Sequence, residues 1–258
     1  ASSSTAMNAV ASSSTAMNAV ASSSTAMNAV ASSSTAMNAV ASSQIGVNTI
    51  INNSGFLNIV ISSSTAMSAI AGSSTAMSAI AGSSTAMSAI AGSSTAMSAI
   101  AGSSTAMSAI AGSSTAMSAI AGKPVAISAI IKSTMACSKI DSKIQSYRST
   151  LVNSLNNASY FTKTTEISTN SNGNGTTLDR TLYTGNKIII PTQFRDKGSG
   201  ANTITLYSSS TNIQIYNTTI TQTTVSITSG VALRGVRELH GTYFPNENEI
   251  TYDVYTAR

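Results

Sequence analysis

The sequence predicts a fibrous, elongated chain of mixed α and β character, and three observations predict it. Residues 1–122 are built on a ten-residue repeat: Ala1–Val10 read ASSSTAMNAV, and the same decad returns at Ala11, Ala21 and Ala31. The repeat resumes as SSTAMSAIAG after Ser62 and fades near Ile130. Such strict periodicity marks one small unit stacked along an axis. Secondly, charged residues make up 8% of the chain, where a soluble domain carries about 25%, and none precedes Lys123. Thirdly, the pattern after residue 158 alternates apolar and polar residues between Gly-, Asn- and Ser-rich turns, as antiparallel strands do.

The shaft, residues 1–122, cannot be one continuous helix. At 3.6 residues per turn, successive Met side chains ten apart would drift by roughly 80°, leaving no seam. Short helices survive this test. The Ser at position 3 of each decad can cap, the following Ser-Thr-Ala-Met run is helix-compatible, and Gly72, Gly82 and Gly92 sit at a C′ position. Pro124 falls in the first turn of the corresponding helix. The competing β-fibre draws on the degenerate copies, Gln44–Ile51 and Phe56–Ile61, rich in β-branched residues. Low-complexity disorder is a third reading, against which the fixed Met and Ile positions argue. Of these, short helical segments are favoured over a β-fibre. One Met and one Val or Ile per decad, at about 1.5–3 kcal/mol each, fall short of the ordering entropy of about 1–2 kcal/mol per residue. Each decad therefore needs neighbours.

The neck, residues 123–157, changes period. Ile130, Cys137, Ile144 and Leu151 lie seven apart, with Ile140 and Tyr147 three beyond the second and third. This is an a/d seam, and it predicts one coiled-coil helix ending at Asn156–Asn157. The alternative is an amphipathic helix packed on the following domain. Cys137, the single cysteine, reads as a small core residue, because no second Cys or nearby His accompanies it.

The head, residues 158–258, is expected to be an antiparallel β-sandwich of jelly-roll type. Asn202–Tyr207, Asn212–Tyr216, Val225–Ile227 and Ile250–Val254 alternate, while Lys187–Ile190 reads as a doubly buried strand ending at Pro191. No catalytic set emerges. His240 is the only histidine and is expected at the surface or a strand end. Asp179, Asp196, Glu238, Glu247, Glu249 and Asp253 could include a glycosidase pair, but their spacing favours solvated or salt-bridged roles. The Asn170–Gly175 loop lacks the carboxylates of a calcium site, so no metal and no cofactor is expected. Seven of the eight tyrosines lie in the head, a weak signal for sugar recognition.

The net charge of +5 is scattered, with no basic patch for nucleic acid. No apolar run reaches the roughly 18–20 residues of a membrane span, and no signal peptide opens the chain, which begins at Ala and so reads as processed or as a fragment.

With its STAMNAV and STAMSAI decads, seam and β head, the chain resembles bacteriophage tail-fibre and related virion-fibre proteins. The resemblance is architectural and covers the whole sequence. It implies a homotrimer that is not an enzyme, located in the virion. Its partners would be other virion proteins and a host surface glycan or outer-membrane protein. It transfers no binding residue. Two other classes stand beside this one: a polysaccharide-degrading tail spike, and a self-assembling filament or bacterial surface adhesin.

Overall fold

A computed structural model describes residues 2–170, 178–197, 200–209, 211–242 and 248–258. They form two compact units, Ala1–Lys139 and Ile140–Arg258.

In the first unit nearly every decad is one short helix. They run α1 (Ser4–Ala11), α2 (Ser14–Ala21), α3 (Ser24–Ala31), α4 (Ser34–Ser42), α5 (Gln44–Asn52), α6 (Ser54–Ser62), α7 (Ser64–Gly72) and α8 (Ser74–Gly82). The series continues with α9 (Ser84–Ala91), α10 (Ser94–Gly102), α11 (Ser104–Ala111), α12 (Ser114–Ala121) and α13 (Pro124–Ile131), and α14 (Thr134–Ile144) spans the boundary between units. The expected helical decad is thus what forms. Its start is set by the Ser at the third position of the decad. Ser63, in extended backbone, accepts the Ala66 N–H on its Oγ at 3.2 Å, and the same cap recurs at Ser73, Ser93 and Ser103. At Lys123 there is no side-chain cap, and Pro124 at the first turn starts the helix instead.

The exit differs from expectation. Gly92 is right-handed, with φ −85°, and Gly72 and Gly82 are helical, so no left-handed C′ glycine ends these helices. A single extended residue at the next N-cap turns the chain: at Ser63 α6 and α7 meet at 98°, and at Lys123 α12 and α13 meet at 97°. Three helices complete a coil, because α1 packs on α4, α4 on α7, α7 on α10 and α10 on α13. The series α2–α5–α8–α11 and α3–α6–α9–α12 stack likewise. The stacking thus continues past residue 122 into α13.

From Ser43 onward most cap side chains also hold the coils together. Ser43 Oγ donates to the Ala11 carbonyl at 2.5 Å, Ser63 to Ala31 at 2.8 Å, and Ser103 to Ala71 at 2.5 Å. Asn53 replaces Ser in one repeat and performs both tasks: its Oδ1 accepts from Phe56 N at 2.8 Å and its Nδ2 donates to Ala21 O at 3.0 Å. This double role calls for a side chain that accepts and donates at once, which Ser and carboxamides supply. Inside, Ala66, Met67, Ile70 and Ala71 and their equivalents fill the core. No single helix among the described residues is long and apolar enough to cross a membrane.

The expected neck helix is interrupted. A 3₁₀ turn at Gln145–Tyr147 separates α14 from α15 (Arg148–Leu155). The seam is also already covered: Cys137, Ile140, Ile144 and Leu151 are fully buried within the single chain, which leaves no free stripe for a second helix. In the second unit, part of the cover is the β structure. Gln145 exchanges two hydrogen bonds with the Val231 backbone, at 2.7 and 2.8 Å. Arg148 donates to the carbonyls of Pro191, Ile227 and Gly230.

The strands are β1 (Phe161–Asn170), β2 (Leu178–Leu182), β3 (Lys187–Asp196), β4 (Asn202–Ser208), β5 (Gln214–Ile220), β6 (Thr224–Ser226), β7 (Ala232–Leu233), β8 (Val236–Thr242) and β9 (Asn248–Ala257). They pair antiparallel in two sheets, β1-β9-β3-β6 with β7 also on β3, and β2-β8-β4-β5. One apolar core joins them: Ile189, Phe194, Ile250 and Tyr252 from the first sheet meet Ile204, Leu206, Ile215 and Val236 from the second. Ile188, Ile189 and Ile190 are buried on both faces as expected. Pro191 does not end the strand, because a register shift between Pro191 and Gln193 absorbs its missing N–H.

Candidate functional site

Glu238 and His240 lie two apart on β8, so they face the same way, alongside Val236 and into the space between the sheets. Both are fully buried, which corrects the surface or strand-end position expected for His240. A carboxylate placed there must be satisfied by the protein. Glu238 Oε1 accepts from the Tyr252 hydroxyl of β9 at 2.5 Å. Its Oε2 accepts from Ser168 Oγ of β1 at 3.0 Å and from Arg180 Nε of β2 at 2.9 Å, and lies 3.1 Å from His240 Nε2. Arg180 reaches on to Ser168 and to the Thr169 carbonyl, at 3.1 Å for the latter. His240 Nδ1 finds no partner among the described residues. At the rim, Tyr183 has φ +55°, a left-handed backbone rare for a bulky residue, and its ring meets that of Tyr252 edge-on at 5.7 Å.

The electrostatics follow from these contacts. Burial pushes the Glu238 pKa up, but hydrogen bonds from His240, Tyr252 and Arg180 outweigh it and hold the group below its ordinary value. Burial first, then the Glu238 charge, raises the Tyr252 hydroxyl well above 10. Burial and the Glu166 and Glu238 charges push Tyr183 up to about 12. The cluster is thus an ionised carboxylate among neutral phenols and one guanidinium.

That arrangement does not suit nucleophilic catalysis. Ser168 and His240 both bind Glu238, which stands between them, whereas a hydrolase needs the imidazole between hydroxyl and carboxylate. A glycosidase acid needs a raised pKa, and that of Glu238 is lowered. What the cluster does is tie β8 and β2 of one sheet to β1 and β9 of the other.

The other acidic candidates are dispersed. Asp179 pairs with Arg237 at the surface, at 2.5 Å, and this contact holds its pKa low. Asp253 pairs with Lys163 at 2.8 Å, and Glu249 pairs with Lys197 and Arg195. Asp196 is buried and accepts from Asn202 Nδ2 at 2.6 Å and from Gln222 N at 2.9 Å. Glu247 and residues 171–177, the greater part of the Asn170–Gly175 loop, lie outside the described residues. No group of three metal-ligating side chains occurs among the described residues. Among the described residues the tyrosines are dispersed: Tyr252 and Tyr255 are buried, Tyr183 and Tyr216 pack against the core, and Tyr207 lies beneath Arg237.

Sequence reasoning missed Arg180, Ser168 and Tyr183. The available signal was parity, since β2 and β8 pair Arg180 directly with Glu238. No protein-family pattern and no curated protein matches this chain.

Proposed function

We propose that the protein is a structural fibre and adhesin of a bacteriophage virion, a homotrimer whose β unit attaches to a host surface glycan or outer-membrane protein. The observation that carries this reading is the first unit: uncharged, near-identical coils, each resting on the one before, add length without forming a catalytic cavity. The β unit is taken as a jelly roll. Setting aside the two-residue β7, its strand order gives two four-stranded sheets that interleave the first and last strands, which supports that assignment. A coiled-coil neck forms no part of the proposal, because its seam is covered within the chain. Other virion proteins are the expected partners of the end not engaged with the host.

The decisive experiment incubates the purified chain with bacterial cells and with their extracted surface polysaccharide. Saturable cell binding with no released oligosaccharide is expected. Polysaccharide shortening would replace this reading with that of a tail spike, and absence of binding together with open-ended polymers would replace it with a filament.

A further inference from the structure

Among the described residues, α1, α2 and α3 have a coil stacked on one side only. The α1 and α4 decads are identical, Ser4–Ala11 matching residues 34–41, and the two helices pack together. The neighbour that α4 has and α1 lacks is a preceding helix, and their surfaces differ accordingly. In α4, Ala36, Ala39 and Val40 are buried; their counterparts Ala6 and Ala9 are exposed and Val10 is half-buried. The contrast extends to α2 and α3, where Ala16 and Ala26 are half-buried and Ala19 and Ala29 exposed.

The caps agree. Seven of the eight caps from Ser43 to Ser113 donate to a carbonyl one coil earlier, Ser83 being the exception. Ser3, Ser13 and Ser23 accept from the N–H groups of Ala6, Ala16 and Ala26 at 3.3 Å, but among the described residues their hydroxyls donate to no carbonyl. A solenoid ordinarily closes with an atypical repeat whose outer face is polar. Here the first coil keeps the interior decad unaltered, with Ala turned outward.

We propose that the open face of α1–α3 seats a further coil of uncharged decad helices, carried by another protein of the assembly. That the partner is another assembly protein rests on the virion-fibre reading above. The chain itself selects the chemistry of the occupant, because the same residues one coil later are covered by such a coil, with Ser43 bound to Ala11 and Ser63 to Ala31. Helix ends leave carbonyls free, and a stack of short helices supplies one to each cap at the coil spacing. A charged surface would bury its charges against residues 1–122, which offer no counter-charge. A second copy stacked head to tail would propagate into a filament, which an attachment fibre of fixed stoichiometry does not do.

The test uses the full chain, with a synthetic peptide of three ASSSTAMNAV decads as probe. Saturable binding is expected, with a gain in peptide helicity and amide exchange in α1–α3 slowed by about tenfold. Ala9→Lys/Ala19→Lys, at exposed last-turn positions that tolerate a cation, should fold unchanged and weaken binding by about tenfold. Because a free peptide must be ordered as it docks, a second arm joins the same three decads ahead of Ala1. Exchange in α1–α3 should then fall to that of α4–α6, and the Lys pair should cancel the gain. Failure of both arms would overturn the seat. Open-ended polymers of the unextended chain would replace the partner with a second copy. Decads found ahead of Ala1 in the polypeptide isolated from its source would replace it with the chain itself. Cell binding is read in none of these arms and judges the adhesin separately.

Discussion

The solenoid and the β unit reach defined structure by opposite means. In residues 1–122 no side chain ionises, the buried groups are Ala, Met, Val and Ile with a few larger replacements, and each recurrent cross-coil bond spans 32 residues. The β unit holds Glu238, His240 and Asp196 inside and ties strands far apart in sequence, Ser168 to Glu238 across 70 residues. Specificity in the first is repeated and local; in the second it is concentrated in a few polar contacts. Damage should accordingly be shared along the solenoid and decisive in the β unit.

The largest effect should come from Glu238→Ala. It leaves Arg180, Ser168, His240 and Tyr252 without their common acceptor, at a cost of about 3–5 kcal/mol for breaking a buried ion pair. Amide hydrogen exchange should show the β strands losing protection while Met67–Met117 keep theirs. Loss of protection in both regions at once would show that the two units fold as one.

Acid should separate the regions in the same way. The folded pKa of Glu238 lies below its ordinary value of 4.5. Its contribution is therefore complete above about pH 4.5 and is lost as pH falls through the lower folded value. Near-ultraviolet circular dichroism from the tyrosines should report this loss. Far-ultraviolet helicity of the solenoid, which has nothing to titrate before Lys123, should stay flat.

A subtler contrast lies at the caps. Ser103→Asp still accepts from Ala106 N, but an ionised carboxylate cannot donate to Ala71 O. Ser103→Asn can do both, as Asn53 does. The Asp variant should lose about 1–2 kcal/mol by thermal denaturation and the Asn variant close to none. Equal losses would mean that the cross-coil bond contributes nothing.

These contrasts also show why the two regions were unequally legible in sequence. A Ser followed by helix formers gives a capped helix, and the drift of a ten-residue period excludes a long one; both inferences are local. Three helices per coil is not local, since nothing within one decad states which carbonyl its Ser will meet. Ile140, Ile144 and Leu151 revealed an apolar stripe but not its cover, because a strand face and a second helix ask for the same spacing. His240 was misplaced because polar residues were assigned outward, whereas the shared parity of Val236, Glu238 and His240 turns all three inward and Arg180 and Ser168 make that tolerable.

The smallest expected effect probes the exits of the helices. A Cβ added at Gly72, Gly82 or Gly102 meets nothing within 4 Å, and these residues are helical rather than left-handed. Their glycines are thus not demanded by the turn, which the following extended Ser makes, and Ser42 and Ser62 occupy the same position in earlier repeats. Gly72→Ala should raise stability by about 0.4–1 kcal/mol, chiefly by narrowing the unfolded ensemble. Gly235→Ala should do the reverse, because that glycine has φ +133° and its Cβ would lie 3.1 Å from the Leu182 and Tyr183 carbonyls. Opposite signs for the same substitution, read by chemical denaturation, would mark where each region needs glycine; a destabilised Gly72→Ala would return the left-handed exit to the solenoid.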